Sequence, residues 1–392
     1  MHKKKTDRRQ LRIGIFVNGS TTRISGGEFH AIRVGEIWAN DHDVSFISPR
    51  AGAYWLAGLL NKIKLHCYET PLEPKALKGV SNSFDVAMLY LVRTIICSLY
   101  RNAYDVLLAS SHYPQDVIPA VIQHLRNRKA PLIVYCHGLS VPREKGLASY
   151  GLSLIYNYLG LLLSRPFASS IFVVNNRTSS ILLSIGYSRS KVVLTSNGVE
   201  SLSKPRPNKI FDGVFLGRLT PEKGVLDIID VWKKVCVSRP KSLLLIVGSG
   251  PLLAAIQKRV DSFGLGANVC IREWAWGNKK YEFILSSRVF VYPSYLESWG
   301  LAVAEAIACR IPVVAFDLPA YHETFKGVSG SSLITVPIGN KELMAAQILR
   351  LLDNPIAERM LRRDGELLLQ KYDWSTVANR EINAVESALT GR

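Results

Sequence analysis

The chain has 392 residues, 48% hydrophobic and 20% charged, an ordinary globular balance on a length sufficient for two domains. Its net charge of +18 is concentrated early, with 24 Lys and Arg against 12 Asp and Glu over residues 1–200 and 25 against 19 beyond. Such an excess points to nucleic acid, an anionic membrane surface or an acidic substrate, or is simply a solvated surface, and no RNA-binding or zinc-finger motif supports the first.

The N-terminal MHKKKTDRRQ is a basic tail suited to anionic lipid, followed by an apolar run too short for a signal peptide. That run reads as the first strand, 13–17. Further β-branched runs fall at 44–48, 106–109, 132–136, 171–174 and 192–195, and a second series at 213–216, 243–247, 269–272, 289–292, 313–316 and 332–336. Strands alternating with helical segments predict βαβ units and parallel sheets. Two such series predict an α/β chain of two Rossmann-like domains. SLSKPRPNK at 201–209, with two prolines and no apolar pattern, is the expected linker. A ligand is expected between the domains, at the carboxyl ends of the strands.

DHD at 41–43 precedes the second strand and reads as a turn, not a metal site. Residues 147–163 carry no charge, yet Ser149, Gly151, Ser153, Asn157 and Gly160 interrupt them, and they fall short of the roughly 20 apolar residues of a membrane span. They read as a helix of the first domain whose apolar face, flanked by Arg143, Lys145 and Arg165, packs in the core or touches a membrane surface. The same pair of readings covers 86–100, interrupted by Arg93. At the far end, 372–389 is an amphipathic helix with Trp374, Val377, Ile382 and Val385 on one face. Six scattered cysteines (Cys67, Cys97, Cys136, Cys236, Cys270, Cys309) with no CxxC read as reduced core residues of a cytosolic protein.

Residues 288–317 are the most informative stretch: a buried strand, a Pro293–Ser294 loop, an apolar helix from about Trp299 to Ala308, and a second buried strand. Glu305 is the sole charge between Trp299 and Cys309, on a helix apolar all round, and an ionised carboxylate there is costly unless something bonds to it. Glu297 lies in the preceding loop. The helix N-terminus between them offers the N–H groups of Gly300 and Leu301 to an anion. A ligand with a phosphate and flanking hydroxyls, such as a nucleotide-sugar, fits.

In GRLTPEKG (217–224), Gly217 permits close backbone approach, and Arg218 and Lys223 place two cations at a strand's end, where a departing nucleoside diphosphate needs its charge neutralised. SGGEFHA (25–31) opens a helix after the first strand, with Gly26 and Gly27 letting backbone N–H groups face a pyrophosphate or sugar. CHG (136–138) puts His137 at the end of a buried strand. SNGV (196–199) is a structural turn, VGSGP (247–251) a strand-to-helix turn, and Trp274 and Trp276 are either base-stacking or core residues.

The paired glutamates, set within strand, Pro-Ser, Gly-Leu, helix and strand, resemble the motif of the retaining family 4 glycosyltransferases of GT-B fold. The likeness spans nearly the whole chain and is strongest over 213–317. It implies that Glu297 contacts the donor sugar, that Glu305 holds the ribose, that Arg218 and Lys223 clamp the phosphates, and that Gly27 and His137 line the sugar. VNNR (174–177) departs from the serine-containing turn of many members, so Asn175 and Asn176 receive no catalytic role, and Ser249 stands where most carry an acid. The resemblance implies an acceptor-binding domain over 1–203, a nucleotide-sugar-binding domain over 204–371 and a returning helix over 372–392. It further implies transfer without metal or cofactor from a nucleotide-diphosphate sugar to an acceptor such as a saccharide, and the basic, apolar-faced first half, with the reduced cysteines, adds the expectation of a lipid-linked acceptor met in the cytoplasm or on the inner membrane face. A GT-B-like phosphorylase, a sugar-nucleotide epimerase and a non-catalytic nucleotide-sugar-binding protein remain as alternatives.

Overall fold

The computed structural model describes residues 9–19, 26–57, 60–70, 83–139, 147–200, 207–275 and 277–390, with the backbone alone at 53–55, 57, 83–86, 147–150 and 152–153. The chain divides into two compact units, one of Met1–Asn197 with Trp374–Arg392, the other of Gly198–Asp373. Residues 201–206 of the expected linker, Ser25, Arg143, Lys145, Trp276 and most of the basic tail lie outside the described residues.

In the first unit the elements alternate: β1 (Arg12–Phe16), α1 (Gly26–Trp38), β2 (Asp43–Pro49), α2 (Arg50–Ala57), β3 (Lys64–Tyr68), α3 (Ser83–Leu99), β4 (Val106–Ala109), α4 (Pro114–Arg126), β5 (Leu132–Cys136), α5 (Leu147–Ser164), β6 (Ala168–Val173), α6 (Asn176–Ser184) and β7 (Val192–Leu194). The strands form one seven-stranded sheet, β3-β2-β1-β4-β5-β6-β7, with every pairing parallel. Ile13 sits opposite Val44 on one side and Val106 on the other, so the order reverses at β1 and opens a crevice beyond the carboxyl ends of β1 and β4. The apolar runs β4 and β5 are buried along their whole length, as a sheet covered on both faces demands.

The second unit repeats the scheme with β8 (Phe211–Leu216), a 3-10 turn (Pro221–Lys223), α7 (Val225–Ser238), β9 (Leu244–Val247), α8 (Leu253–Ser262), β10 (Val269–Arg272), α9 (Gly277–Leu285), β11 (Ser287–Tyr292), α10 (Leu301–Ala308), β12 (Val313–Phe316), α11 (Pro319–Thr324), β13 (Leu333–Val336), α12 (Lys341–Asp353) and α13 (Glu358–Tyr372). Its six-stranded parallel sheet runs β10-β9-β8-β11-β12-β13, reversing between β8 and β11. The last helix, α14 (Trp374–Thr390), belongs to the first unit and packs on α1, where Trp38 donates its indole N–H to the Ala378 carbonyl at 2.9 Å. Trp374, Val377, Ile382 and Val385 are all buried there.

Three local expectations change. The strand β3 was not expected, because KLHCY is an edge strand with no residue fully buried and no apolar run to betray it. The helix expected from 299 begins at Leu301, since Gly300 takes a left-handed φ of 91°. The expected helix at 372–389 begins at Trp374, after an extended Asp373 (ψ 141°) that ends α13.

The DHD segment is a turn leading into β2, with His42 Nδ1 accepting the Leu11 N–H. Cys97, Cys136 and Cys309 are buried and in no disulfide, but Cys67 on the edge strand is exposed and is not a core residue. No described helix is long and apolar enough to cross a membrane. Instead α5 exposes Ile155, Leu159, Leu162 and Leu163, and α3 exposes Leu91, Ile95 and Leu99. Arg93, the charge that interrupts α3, is buried and donates to the Asn18 carbonyl at 3.1 Å.

Candidate active site

At the β8/β11 reversal of the second unit, two loops are fastened together through glycines. A Cβ on Gly224, whose φ is 62°, would lie 1.9 Å from the Pro293 carbonyl oxygen, so only glycine lets the loop after β8 reach the loop after β11. The Glu222 carbonyl accepts from Ser294 Oγ at 3.1 Å and from the Tyr295 N–H at 2.9 Å. On the other flank the turn after β9 closes in, with a Cβ on Gly248 falling 2.1 Å from the Gly217 carbonyl oxygen.

This fastening delivers side chains. Lys223 Nζ lies 2.5 Å from Glu297 Oε1, both side chains nearly buried, and Ser294 Oγ donates to the same oxygen at 2.9 Å. Beneath them, burial and then the Glu297 charge push the Tyr292 and Tyr321 hydroxyls well above their usual range, so both stay protonated. The Tyr321 ring packs where a Gly300 side chain would have to go. Helix α10 starts directly after Gly300, and no side chain caps it. Arg218 behaves differently from Lys223. Its side chain is 67% exposed and leans on Glu222 at 3.0 Å.

Glu305 is 3% exposed, as its place on an apolar helix requires. Its oxygen Oε1 accepts from Lys280 Nζ at 2.5 Å and lies 3.4 Å from the Tyr281 hydroxyl. Lys280, on α9, is 5% exposed and was missed in the sequence, where it stands beside an exposed Lys279 in a nine-residue helix with no clear periodicity.

In the first unit, Gly27 and His137 meet. A Cβ on Gly27 would lie 2.5 Å from His137 Cδ2, so the missing side chain is what admits the ring. At Gly26 an added Cβ meets nothing within 4 Å. The His137 Nε2–H donates to the Ser110 carbonyl at 3.2 Å, which leaves Nδ1 as the acceptor nitrogen. Burial, and then neighbouring His30, hold its pKa down to about 3, so the imidazole is neutral and accepts hydrogen bonds instead of supplying charge. Asn175 caps α6 by accepting the Thr178 N–H at 2.7 Å, a structural task. Among the described residues no three His, Cys, Asp or Glu gather as a metal site.

Two family descriptions match in succession, Glycosyltransferase Family 4 over residues 24–201 and Glycosyl transferases group 1 over 200–367. The chain is 30% identical over 189 residues to the phosphatidyl-myo-inositol mannosyltransferase of Mycobacterium tuberculosis, covering 47% of this chain and 48% of that one. It is 29% identical over 172 residues to the alpha-D-kanosaminyltransferase of Streptomyces kanamyceticus, covering 43% of each. The matched region thus spans about half the length of these curated relatives. Among solved structures, Anabaena HepE in complex with UDP and glucose superimposes with TM-score 0.74 at 16% identity, over 96% of this chain and 100% of that one. The sucrose-phosphate synthase of Thermosynechococcus elongatus gives 0.72 at 17%, over 98% and 100%. At that identity the structures speak for the fold and the sequence matches for the family. With both modules present in order, the chain belongs to the group 1 glycosyltransferases, family 4-like, and has their GT-B fold.

Proposed function

We propose that the chain is a retaining, metal-independent glycosyltransferase that moves a sugar from a nucleotide-diphosphate donor to a saccharide or lipid-linked acceptor at the cytoplasmic face of a membrane. The observation that carries this is the glycine-fastened pair of loops, which brings Lys223, Glu297 and the uncapped start of α10 together where β8 and β11 diverge. Glu305, neutralised by Lys280, takes the ribose hydroxyls. Glu297, held by Lys223 and Ser294, takes hydroxyls of the sugar. Arg218 and the Gly300 and Leu301 amides receive the diphosphate as negative charge builds on it, stabilising the transition state more than the bound donor. By analogy with the family, the acceptor attacks on the face the diphosphate leaves, and the diphosphate assists its deprotonation.

The first unit binds the acceptor, with Gly26, Gly27 and His137 toward the transferred sugar. The neutral His137 Nδ1 accepts a sugar hydroxyl there. A lipid-linked acceptor is supported by the positive charge of the first half and by the apolar residues exposed on α3 and α5, the surface an anionic bilayer attracts. The mycobacterial relative, named for transfer to a phosphatidylinositol, is in keeping with that reading.

The test is nucleotide release from UDP-, GDP-, ADP- and dTDP-sugars without added metal, with and without lipid acceptors, beside Glu305→Ala. Release from one donor that is lost in the variant supports the reading. Donor binding without any release, whatever the acceptor, would make the chain a binding protein.

A further inference from the structure

His137 is walled by side chains that no role above employs. Glu381, on α14, is completely buried, and so is His30 on α1. One Glu381 oxygen lies 3.0 Å from His30 Nε2, and the other accepts from the Tyr135 hydroxyl at 2.5 Å. The Tyr135 ring stacks on His137 at 5.3 Å between centroids and 16° between planes. His30 stands 5.3 Å from His137 on another side, edge-on to Trp374 at 5.4 Å, with Nδ1 3.1 Å from Asn197 Oδ1. Asn197 is the last residue of this unit before the chain leaves it, and Trp374 is the first on its return.

A carboxylate with no exposure is strongly destabilising unless its oxygens are bonded, and here both are. Strand β5, helix α1 and helix α14 are therefore pinned to one another at a single residue, through the two side chains that lie against the imidazole. Tyr135 cannot shift without unbonding one oxygen, nor His30 without unbonding the other. With Gly27 on a further side, the ring is held on three sides, and its Nδ1 direction is fixed.

We propose that Glu381 is a positioning residue, which by holding Tyr135 and His30 sets the orientation in which His137 meets the transferred sugar. This rests on the reading of His137 as a sugar-side group. It is tested with Glu381→Gln and with the milder Tyr135→Phe, which keeps the stacked ring and removes a single hydroxyl, so that one variant folds even where the other does not.

The first readout is the His137 Nε2–H resonance in protein labelled at histidine nitrogen, assigned by its loss in His137→Gln. Wild type is expected to show a slowly exchanging signal that broadens or disappears in both variants. The second is sugar transfer, where kcat falls about tenfold, equivalent to about 1.4 kcal/mol in the barrier, with donor KM within about twofold of wild type. A lowered melting temperature with signal and kcat unchanged shows mere scaffolding and overturns the proposal. A lost signal with unchanged kcat overturns it too, because His137 would then have no orientation that matters. Should wild type transfer nothing from any donor, the glycosyltransferase reading fails, while the resonance alone still decides whether Glu381 orients His137.

Discussion

Replacing Lys280 by methionine tests how the second unit tolerates an acid inside an apolar helix. The pair is 2.5 Å apart, with side-chain exposures of 6% for Lys280 and 4% for Glu305, so salt does little to screen it. At an effective dielectric of about 20 the attraction over that distance is roughly 7 kcal/mol, most of it cancelled by the cost of stripping water from both ions. Removing the lysine alone deletes the attraction and keeps the carboxylate's desolvation, and the Tyr281 hydroxyl at 3.4 Å is too distant to substitute. The expected loss is about 3–5 kcal/mol, or roughly 10 °C in melting temperature. Converting both residues to methionine removes charge and partner together and should recover most of the loss. Urea unfolding measures the cycle, and hydrogen exchange in α9 and α10 assigns it to this unit. A single variant within about 1 kcal/mol of wild type, or a double variant no better than the single, refutes the reasoning.

Further consequences follow from the same geometry. Gly224→Ala places a Cβ 1.9 Å from the Pro293 oxygen at a positive φ, so it should destabilise the unit by roughly 2–4 kcal/mol and abolish donor binding, read by calorimetry. Arg218→Ala alters an exposed side chain, so melting should stay within about 1 °C while turnover drops roughly 100-fold; unchanged turnover removes Arg218 from the mechanism. Asp116, buried beneath Ser110 and Ser111, has its pKa pushed up to about 7 by burial and by Glu28, against about 3.9 unfolded. The folded state keeps a proton that the unfolded chain has lost, so this group makes stability fall as pH rises from about 4 to about 7, by up to about 4 kcal/mol. His137 and His112, lowered to about 3 and about 4 by burial, act with the opposite sign below about 6.5, so the measurement is the stability difference between wild type and Asp116→Asn across pH. A difference that does not vary with pH would show that folding leaves the Asp116 pKa where it is in the unfolded chain.

What could be read from the sequence was mostly what violates a local rule. A charge in a helix apolar on every face has few explanations, which exposed Glu305, and glycines flanking a strand end exposed the loop at 217–224. Lys280, His30, Tyr135 and Glu381 violate nothing nearby. Glu381 stands beside Ile382 on an amphipathic helix and would pass for a solvated residue, and its partners lie 351 and 246 positions away. The edge strand β3 was silent for the same reason, since half-exposed positions need no apolar signature.

Distance along the chain also hid a difference between the two cations that the motif presents as equivalent. Each motif glutamate has its own lysine, Glu297 with Lys223 and Glu305 with Lys280, so these charges are already matched before any anion arrives. Lys223 cannot swing toward a diphosphate without abandoning a nearly buried carboxylate, a cost of several kcal/mol. Arg218 gives up only an exposed contact to Glu222, worth about 0–1 kcal/mol, and its planar guanidinium can grip two phosphate oxygens at once. In the proposed mechanism, then, Lys223 serves by fixing Glu297, and Arg218 is the cation that moves with the leaving group.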